Sequence, residues 1–336
     1  MRNAILIGEG LLKNKIFNLH DVGNRDRCYE PYALLAKLFL ANGVVLQTAD
    51  MVAVDVSFEL HVNVPLLVPV ARPAYLMLLE PPLICPANAF PPACYRKVFT
   101  WDDSLVDGQQ HIKLNFPNPM SRHDASGFTH RDRFCCMIAG NKAPAQHDVR
   151  ELYSERVSAI RWFENNAPQD FDLYGVDWSL PTASPGFSGK VKRRLFRHLS
   201  GMLSLRPFPS YRGKVERKID VLRRTRFSIC YENMRDMPGY ITEKLFDCFF
   251  AGCIPVYWGA NNIAEHVPPD CFIDRRQFAD MSAVYAYLKS MDQQTYKGYQ
   301  QRIAAFLESD AAKPFSAETF AETIVSTICQ DLERIK

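Results

Sequence analysis

The chain has 336 residues, of which 47% are hydrophobic and 23% charged, and its net charge is +3. That length has room for two cores, and the ordinary apolar content argues against a disordered or fibrous chain. A charge so close to zero, with no basic-aromatic module, argues against bulk nucleic-acid binding. The ten cysteines are scattered, with no Cys-x-x-Cys and no His-x-x-x-His. Neither a zinc site nor a redox dithiol is expected, and the thiols read as reduced, as in a cytosol. The most apolar region, 66–94, is broken by Arg72, Glu80 and several prolines, so no transmembrane span is predicted.

Residues 4–7 are the first predicted strand. A helix follows over 32–40, with Leu34, Leu35, Leu38 and Leu40 as its buried face. Residues 43–46 begin a second strand, and 52–56 lead towards the next. Further apolar runs lie at 66–70 and 75–79, the second ending in Glu80-Pro81-Pro82. Strands at 97–101 and 111–115 close the first half. Strands alternating with helices predict a parallel α/β sheet. Gly8-Glu9-Gly10 resembles the start of a dinucleotide fingerprint, but Lys13 stands where the third glycine belongs.

The polar stretch 118–132 is the expected boundary, giving domains 1–128 and 129–312, with a last helix in 313–336 packing back across the junction. In the second half a strand is predicted at 134–139, a long helix at 150–165 and a strand at 171–175. Leu152, Val157, Ile160 and Phe163 fall near helical spacing in that helix. Helices are predicted at 285–291, 296–307 and 320–332; in the last, Phe320, Ile324, Ile328 and Leu332 recur every fourth residue. Residues 190–226 are strongly basic, offset locally only by Glu216 and Asp220. The run reads either as a solvated face or as a surface attracted to anionic membrane or a phosphate-bearing acceptor. Asp170-Phe171-Asp172 has the form of a metal-binding Asp-x-Asp, yet it directly precedes a predicted strand with Phe171 pointing inward.

The organising stretch is 227–259. Two apolar runs of strand length, 227–231 and 254–258, flank a helical segment over 241–251, which makes a βαβ unit with parallel strands. Pro238-Gly239 turns the chain before the helix and Gly252 suits the position just past its end. Glu243 is at home at the positive amino end of a helix, whereas Lys244 is mildly repelled there. An anion such as a diphosphate between Lys244 and the helix start resolves that mismatch; the alternative is a lysine extended into water. Glu232, Asn233 and Tyr240 fall at the carboxyl end of the first strand or on the loop after it, the edge where open α/β sheets bind ligands.

Tyr231-Glu232-Asn233, Gly239-Tyr240-Ile241-Thr242-Glu243-Lys244 and Ile254-Pro255-Val256-Tyr257-Trp258-Gly259 closely resemble the signature of the α1,3/α1,4-fucosyltransferases, glycosyltransferase family 10. The resemblance covers some thirty residues. It implies a GT-B-like α/β fold, two Rossmann-like domains facing a cleft, with GDP-L-fucose on the second domain and the acceptor sugar on the first. It also implies an inverting transfer to an acceptor oligosaccharide or lipid-linked glycan, with GlcNAc- or Glc-type acceptors, α1,3 linkage and surface glycans such as lipopolysaccharide as the leading expectations. No cofactor is required, and a divalent metal is at most stimulatory.

Glu80 ends a strand among apolar neighbours, where partial burial raises a carboxylate's pKa and makes it a better base. On its own it reads equally as a cap or a loop acid. Leu79-Glu80-Pro81 and Phe99-Thr100-Trp101 resemble the acceptor-side motifs of the family, whose glutamate there is taken as the general base. Arg156 offers a guanidinium for phosphate, against a surface arginine paired with Glu151 or Glu155; its place matches the donor-phosphate arginine of the family, with Arg161 as competitor. Asn233, Tyr240, Glu243 and Lys244 are assigned to GDP-fucose, Glu232 to the loop or the ribose, and Lys218 stays open as a donor contact. Animal members of the family carry an amino-terminal anchor. The short polar-interrupted start here leads to the expectation of a bacterial cytoplasmic enzyme, peripheral on the inner face of the membrane if 190–226 touches it. The rival readings are a GT-B transferase using another nucleotide sugar, a metal-dependent transferase using Asp170 and Asp172, and a non-catalytic glycan-binding module.

Overall fold

The computed structural model describes residues 1–51, 55–64, 72–144, 148–184, 186, 191, 193–196 and 206–334. Among the described residues the strands form two sheets, and every strand pair is parallel. The first sheet contains β1 (Arg2–Ile7), β2 (Val44–Thr48), β3 (Val56–Val62), β4 (Ala74–Leu78), β5 (Lys97–Thr100) and β6 (His111–Lys113), in the order β2-β1-β3-β4-β5-β6. The second contains β7 (Arg133–Ile138), β8 (Phe171–Tyr174), β9 (Thr225–Tyr231), β10 (Ile254–Trp258) and β11 (Ile273–Asp274), in the order β11-β10-β9-β7-β8. One compact unit is Met1–Ser121 with Pro238–Glu243 and Asp310–Lys336; the other is Arg122–Met237 with Lys244–Ser309.

In the first unit β4 is buried along its whole length, as a central parallel strand covered on both faces must be. The helix expected over 32–40 runs Glu30–Ala41, and its buried residues are Pro31, Leu35 and Phe39. Leu40, expected inside, is exposed, because the i, i+4 spacing from Leu35 selects Phe39. Phe39 packs on Phe58 with ring centroids 5.6 Å apart, and Phe58 meets Tyr75 edge-on at 5.6 Å. The Ala317–Glu333 helix lays Phe320, Ile324, Ile328 and Leu332 into this same core. Its Ser316 cap accepts from the Thr319 N–H at 3.0 Å. Near its end Asp331 accepts from the Tyr75 hydroxyl at 2.7 Å and from Arg96, whose hydrogen bond holds the carboxyl below its usual range.

The strand between β1 and β4 is β3, which begins where the expected 52–56 run ends. The run expected at 66–70 lies outside the described residues. Phe58 and Leu60 cover one face of β3, while the other carries Glu59 and His61, 9% and 1% exposed. That polar pair masks the strand in the sequence, and it satisfies itself: His61 Nε2 lies 3.0 Å from Glu59 Oε2, and Nδ1 lies 3.0 Å from the Tyr95 hydroxyl.

In the second unit β9 and β10 pair in parallel, Phe227 opposite Ile254 through Tyr231 opposite Trp258, joined by the Glu243–Ala251 helix. The helix starts two residues later than the sequence suggests; Ile241 and Thr242 are buried ahead of it. Gly252 (φ +65°) ends it, and a Cβ there would stand 2.1 Å from the Asp124 carbonyl. Arg131 is fully buried and donates to the carbonyls of Ala251 (2.7 Å) and Leu222 (2.9 Å), each the last residue of a helix. Its charge thus sits at two negative helix ends. Among the described residues no helix is long and apolar enough to cross a membrane.

Candidate active site

In the second unit the parallel strands turn their carboxyl ends to one edge, and Glu232, Asn233, Lys244 and Trp258 of the signature collect there. The Glu232 N–H donates to the Trp258 carbonyl at 2.8 Å, carrying the β9–β10 ladder one residue beyond β9. The Glu232 side chain is completely buried, 0% exposed, and Lys244 Nζ meets it at 3.0 Å. The cation in the helix's first turn, which the sequence reading assigns to an external anion, therefore already faces a protein carboxylate. Burial and the Glu232 charge together push the Tyr257 hydroxyl well above its ordinary pKa. That hydroxyl accepts from the Ala260 N–H at 3.0 Å.

Gly259 is enclosed by the same groups. A Cβ added to it would lie 2.4 Å from Tyr257 Oη and 2.6 Å from Glu232 Cγ. Gly259→Ala is expected to lower stability by about 1–3 kcal/mol, read as a fall in the denaturant midpoint. An unchanged midpoint would contradict this packing.

Arg156, on the Tyr153–Asn166 helix, turns inward rather than pairing with Glu151 on the surface; it is 4% exposed. Its Nη2 donates to the Tyr231 carbonyl at 2.7 Å and to Asn233 Oδ1 at 3.0 Å. Glu151 instead accepts from the Tyr153 and Ser154 N–H groups at 2.6 and 3.0 Å, at the start of the helix. The competitor Arg161 binds Glu164 at 2.6 Å and the Pro207 carbonyl at 2.8 Å. Arg156, Glu232, Asn233 and Lys244 are thus brought to one edge of the second sheet.

Two cations there escaped the sequence reading. Arg235 and Arg275 lie 5.4 and 5.3 Å from the centroid of the Trp258 ring, which meets Tyr231 edge-on at 5.5 Å. Arg275 follows β11, a strand of only two residues and too short to show in the sequence. Lys218 binds Asp247 at 2.8 Å.

Several members of the basic run 190–226, which lies in part outside the described residues, pair with acids far away in sequence. Arg212 pairs with Asp172 (2.7 Å), Arg223 with Asp124 (3.0 Å), Arg224 with Asp132 and Arg193 with Asp177 (3.4 Å). Asp170 accepts from Tyr285 at 2.6 Å and from Lys289 at 3.1 Å, while Asp172 binds Arg133 and Arg212. The two carboxylates engage different partners at the amino end of β8, the edge opposite the strands' carboxyl ends.

In the first unit Glu80 is half-buried just past β4. It adds to the upward push on the Tyr32 hydroxyl, after burial and Cys28. Tyr240 is 2% exposed, its ring 4.7 Å from that of Trp101. The Asp103 N–H donates to the Pro238 carbonyl at 3.1 Å, and Gly239 (φ +79°) passes so close that a Cβ would stand 2.2 Å from the Trp101 carbonyl. These contacts draw Pro238–Glu243, which the sequence reading leaves in the second domain, into the first unit. Glu243 opens the Glu243–Ala251 helix, half-buried.

Residues 191–336 match the family model for glycosyltransferase family 10 (fucosyltransferase), C-terminal part. An alpha-(1,3)-fucosyltransferase FucT of Helicobacter pylori is 33% identical over 75 residues, 22% of this chain and 16% of its own. An alpha-(1,4)-fucosyltransferase of Arabidopsis thaliana is 30% identical over 111 residues, 32% of this chain and 27% of its own. The 4-galactosyl-N-acetylglucosaminide 3-alpha-L-fucosyltransferase 9 of Mus musculus is 35% identical over 189 residues, 55% of this chain and 50% of its own. The chain thus spans half or less of the length of each of these curated relatives. An alpha1,3-fucosyltransferase solved with GDP-fucose superposes with a TM-score of 0.53 at 14% identity, over 97% of this chain and 91% of that one. Anabaena Alr3699/HepE solved with UDP and glucose gives 0.53 at 11% identity, over 98% and 100%. At such identities the likeness is one of fold, the two-sheet α/β class of GT-B glycosyltransferases.

Proposed function

We infer that this chain, whose residues 191–336 match the model of glycosyltransferase family 10, transfers L-fucose from GDP-β-L-fucose to a hydroxyl of an acceptor sugar. The observation that carries the reading is the cationic edge of the second sheet. Lys244 stands at a helix amino end, with Arg156 behind Asn233 on the neighbouring loop. A helix start with adjacent cations suits a diphosphate. Charge grows on the departing GDP as the bond to fucose breaks, and fixed cations and helix N–H groups stabilise it without reorganisation. Glu80 accepts the proton of the acceptor hydroxyl as that oxygen attacks the anomeric carbon. A single in-line displacement turns the β-linked donor into an α-linked product, and one base suffices for it.

The acceptor is proposed to be a GlcNAc- or Glc-type residue of a surface glycan, joined α1,3, and the enzyme to work in a cytoplasm. The test offers GDP-fucose and UDP-glucose, each with GlcNAc, lactose and 4-galactosyl-N-acetylglucosaminide, and identifies products by mass and linkage by NMR. A fucosyl product from GDP-fucose alone is expected. A glucosyl product would turn the assignment to another nucleotide sugar, a reading kept in view because the UDP-bound neighbour superposes as well as the GDP-fucose one. Glycan binding without GDP release would make the chain a binding module.

No metal is proposed to take part. Asp170 and Asp172 of the Asp-x-Asp are engaged by Tyr285, Lys289, Arg133 and Arg212, at the amino end of their strand. Activity after EDTA treatment is expected to stay within about twofold, since protein cations carry the leaving-group charge. A larger loss, restored by manganese, would overturn this.

A further inference from the structure

The β4 ladder ends at Leu78, yet the backbone of the next two residues is held at all four of its polar atoms by side chains from elsewhere. Asn63 Oδ1 accepts from the Leu79 N–H at 2.9 Å and from the Glu80 N–H at 2.8 Å. Trp101 Nε1 donates to the Leu79 carbonyl at 3.1 Å, and Asn88 Nδ2 donates to the Glu80 carbonyl at 2.7 Å. The two asparagines are themselves joined, Asn88 Nδ2 to Asn63 Oδ1 at 2.9 Å, and Asn88 Oδ1 accepts from the Val64 N–H at 2.9 Å. Three separate elements converge here: the end of β3, the Pro86–Ala89 turn and the end of β5. Asn63 adopts a left-handed backbone (φ +60°), a conformation that side chains rarely take and that asparagine tolerates better than most.

We propose that Asn63 and Asn88, with Trp101, form a clamp that fixes the backbone of Glu80 and so aims its carboxylate at the acceptor hydroxyl. The inference rests on the reading of Glu80 as the base. Leu79 and Glu80 lie beyond the sheet, where backbone polar groups would otherwise turn to water and the loop would sample many orientations. A base must sit within hydrogen-bond reach of the proton it takes, and a small displacement is costly in rate. Two prolines follow Glu80 and restrict the exit of the chain, so the clamp and Pro81-Pro82 bracket the residue on both sides. Asn63 and Asn88 are positioning residues, acting through Glu80.

The roles of the two amides differ, and the difference supplies the test. Asn63 serves this backbone only as an acceptor, so Asn63→Asp keeps that function and tolerates the same left-handed φ. Asn63→Gly removes the side chain without straining the backbone. Asn88 serves Glu80 as a donor, so Asn88→Asp places a carboxylate against a carbonyl. Initial rates with GDP-fucose and the three panel acceptors are measured beside thermal midpoints.

Asn63→Gly and Asn88→Asp are expected to lower kcat by about 10-fold or more, with KM for GDP-fucose within about twofold, and Asn63→Asp to recover most of kcat. In a Glu80→Gln background Asn63→Gly is expected to have no further effect on kcat, because a residue acting through Glu80 has nothing left to position. Full activity of Asn63→Gly, or losses that multiply with those of Glu80→Gln, would overturn the clamp while leaving Glu80 as the base. Undiminished turnover by Glu80→Gln, or no transfer by the wild-type chain to any panel acceptor, would overturn the reading beneath it.

Discussion

Glu80→Gln is expected to cut turnover by about 10²-fold or more, with GDP-fucose affinity unchanged within about twofold. A hundredfold corresponds to about 2.7 kcal/mol of barrier, the share that proton removal by a positioned base ordinarily supplies. Glutamine keeps the shape of the side chain and loses only its capacity to accept the proton. The backbone bonds from Asn63, Asn88 and Trp101 do not involve the side chain at all, so the loop should hold its place. The donor phosphates are assigned to Lys244 and Arg156, in the second unit, which contains neither Glu80 nor its backbone partners. Initial rates beside calorimetric titration with GDP-fucose separate the two effects. Turnover within a few-fold of the unaltered chain would remove Glu80 from the reaction, and a parallel loss of donor affinity would mean that the substitution disturbs more than proton transfer.

Glu80 also shows what kind of information the sequence holds. Its place past a fully apolar strand was legible because β4 must be buried on both faces and so cannot carry a charge before it ends. The clamp around it was not, because Asn63 and Asn88 are contributed by other elements and nothing in their local pattern marks a partner. The βαβ unit of the second sheet was legible for the same reason as β4, two apolar runs spaced by one crossover helix. β3 was hidden by Glu59 and His61, which a period-2 pattern reads as solvent-facing although they hydrogen-bond to each other inside. The pairing of the basic run 190–226 was not legible, because the acids that meet Lys218, Arg212, Arg223 and Arg224 (Asp247, Asp172, Asp124 and Asp132) are distant in sequence. Tyr240 stands four residues before Lys244 in the signature, and its packing against Trp101 could not be read there because Trp101 comes from a strand end far away in sequence.

The Glu232–Lys244 pair sharpens the second large prediction, because Lys244 has both a structural and a functional role to lose. Lys244→Met leaves a carboxylate with 0% exposure facing no ammonium, and breaking a buried pair from one side costs about 3–5 kcal/mol. A loss of GDP binding in that variant could therefore follow from a distorted loop as well as from a missing phosphate contact. Glu232→Gln combined with Lys244→Met removes both charges and replaces the pair with groups of similar volume, an exchange that is often close to neutral for stability. The combined variant is expected to recover most of the lost denaturant midpoint and still bind GDP about 10- to 100-fold more weakly, the worth of one charge-assisted contact. Glu232→Gln alone keeps the ammonium at the helix start and relieves it of its carboxylate, so GDP affinity should hold or rise while stability falls modestly. Calorimetry with GDP on the three variants decides the matter: a restored fold that also regains full GDP affinity would show that Lys244 holds the loop through Glu232 and never meets the nucleotide.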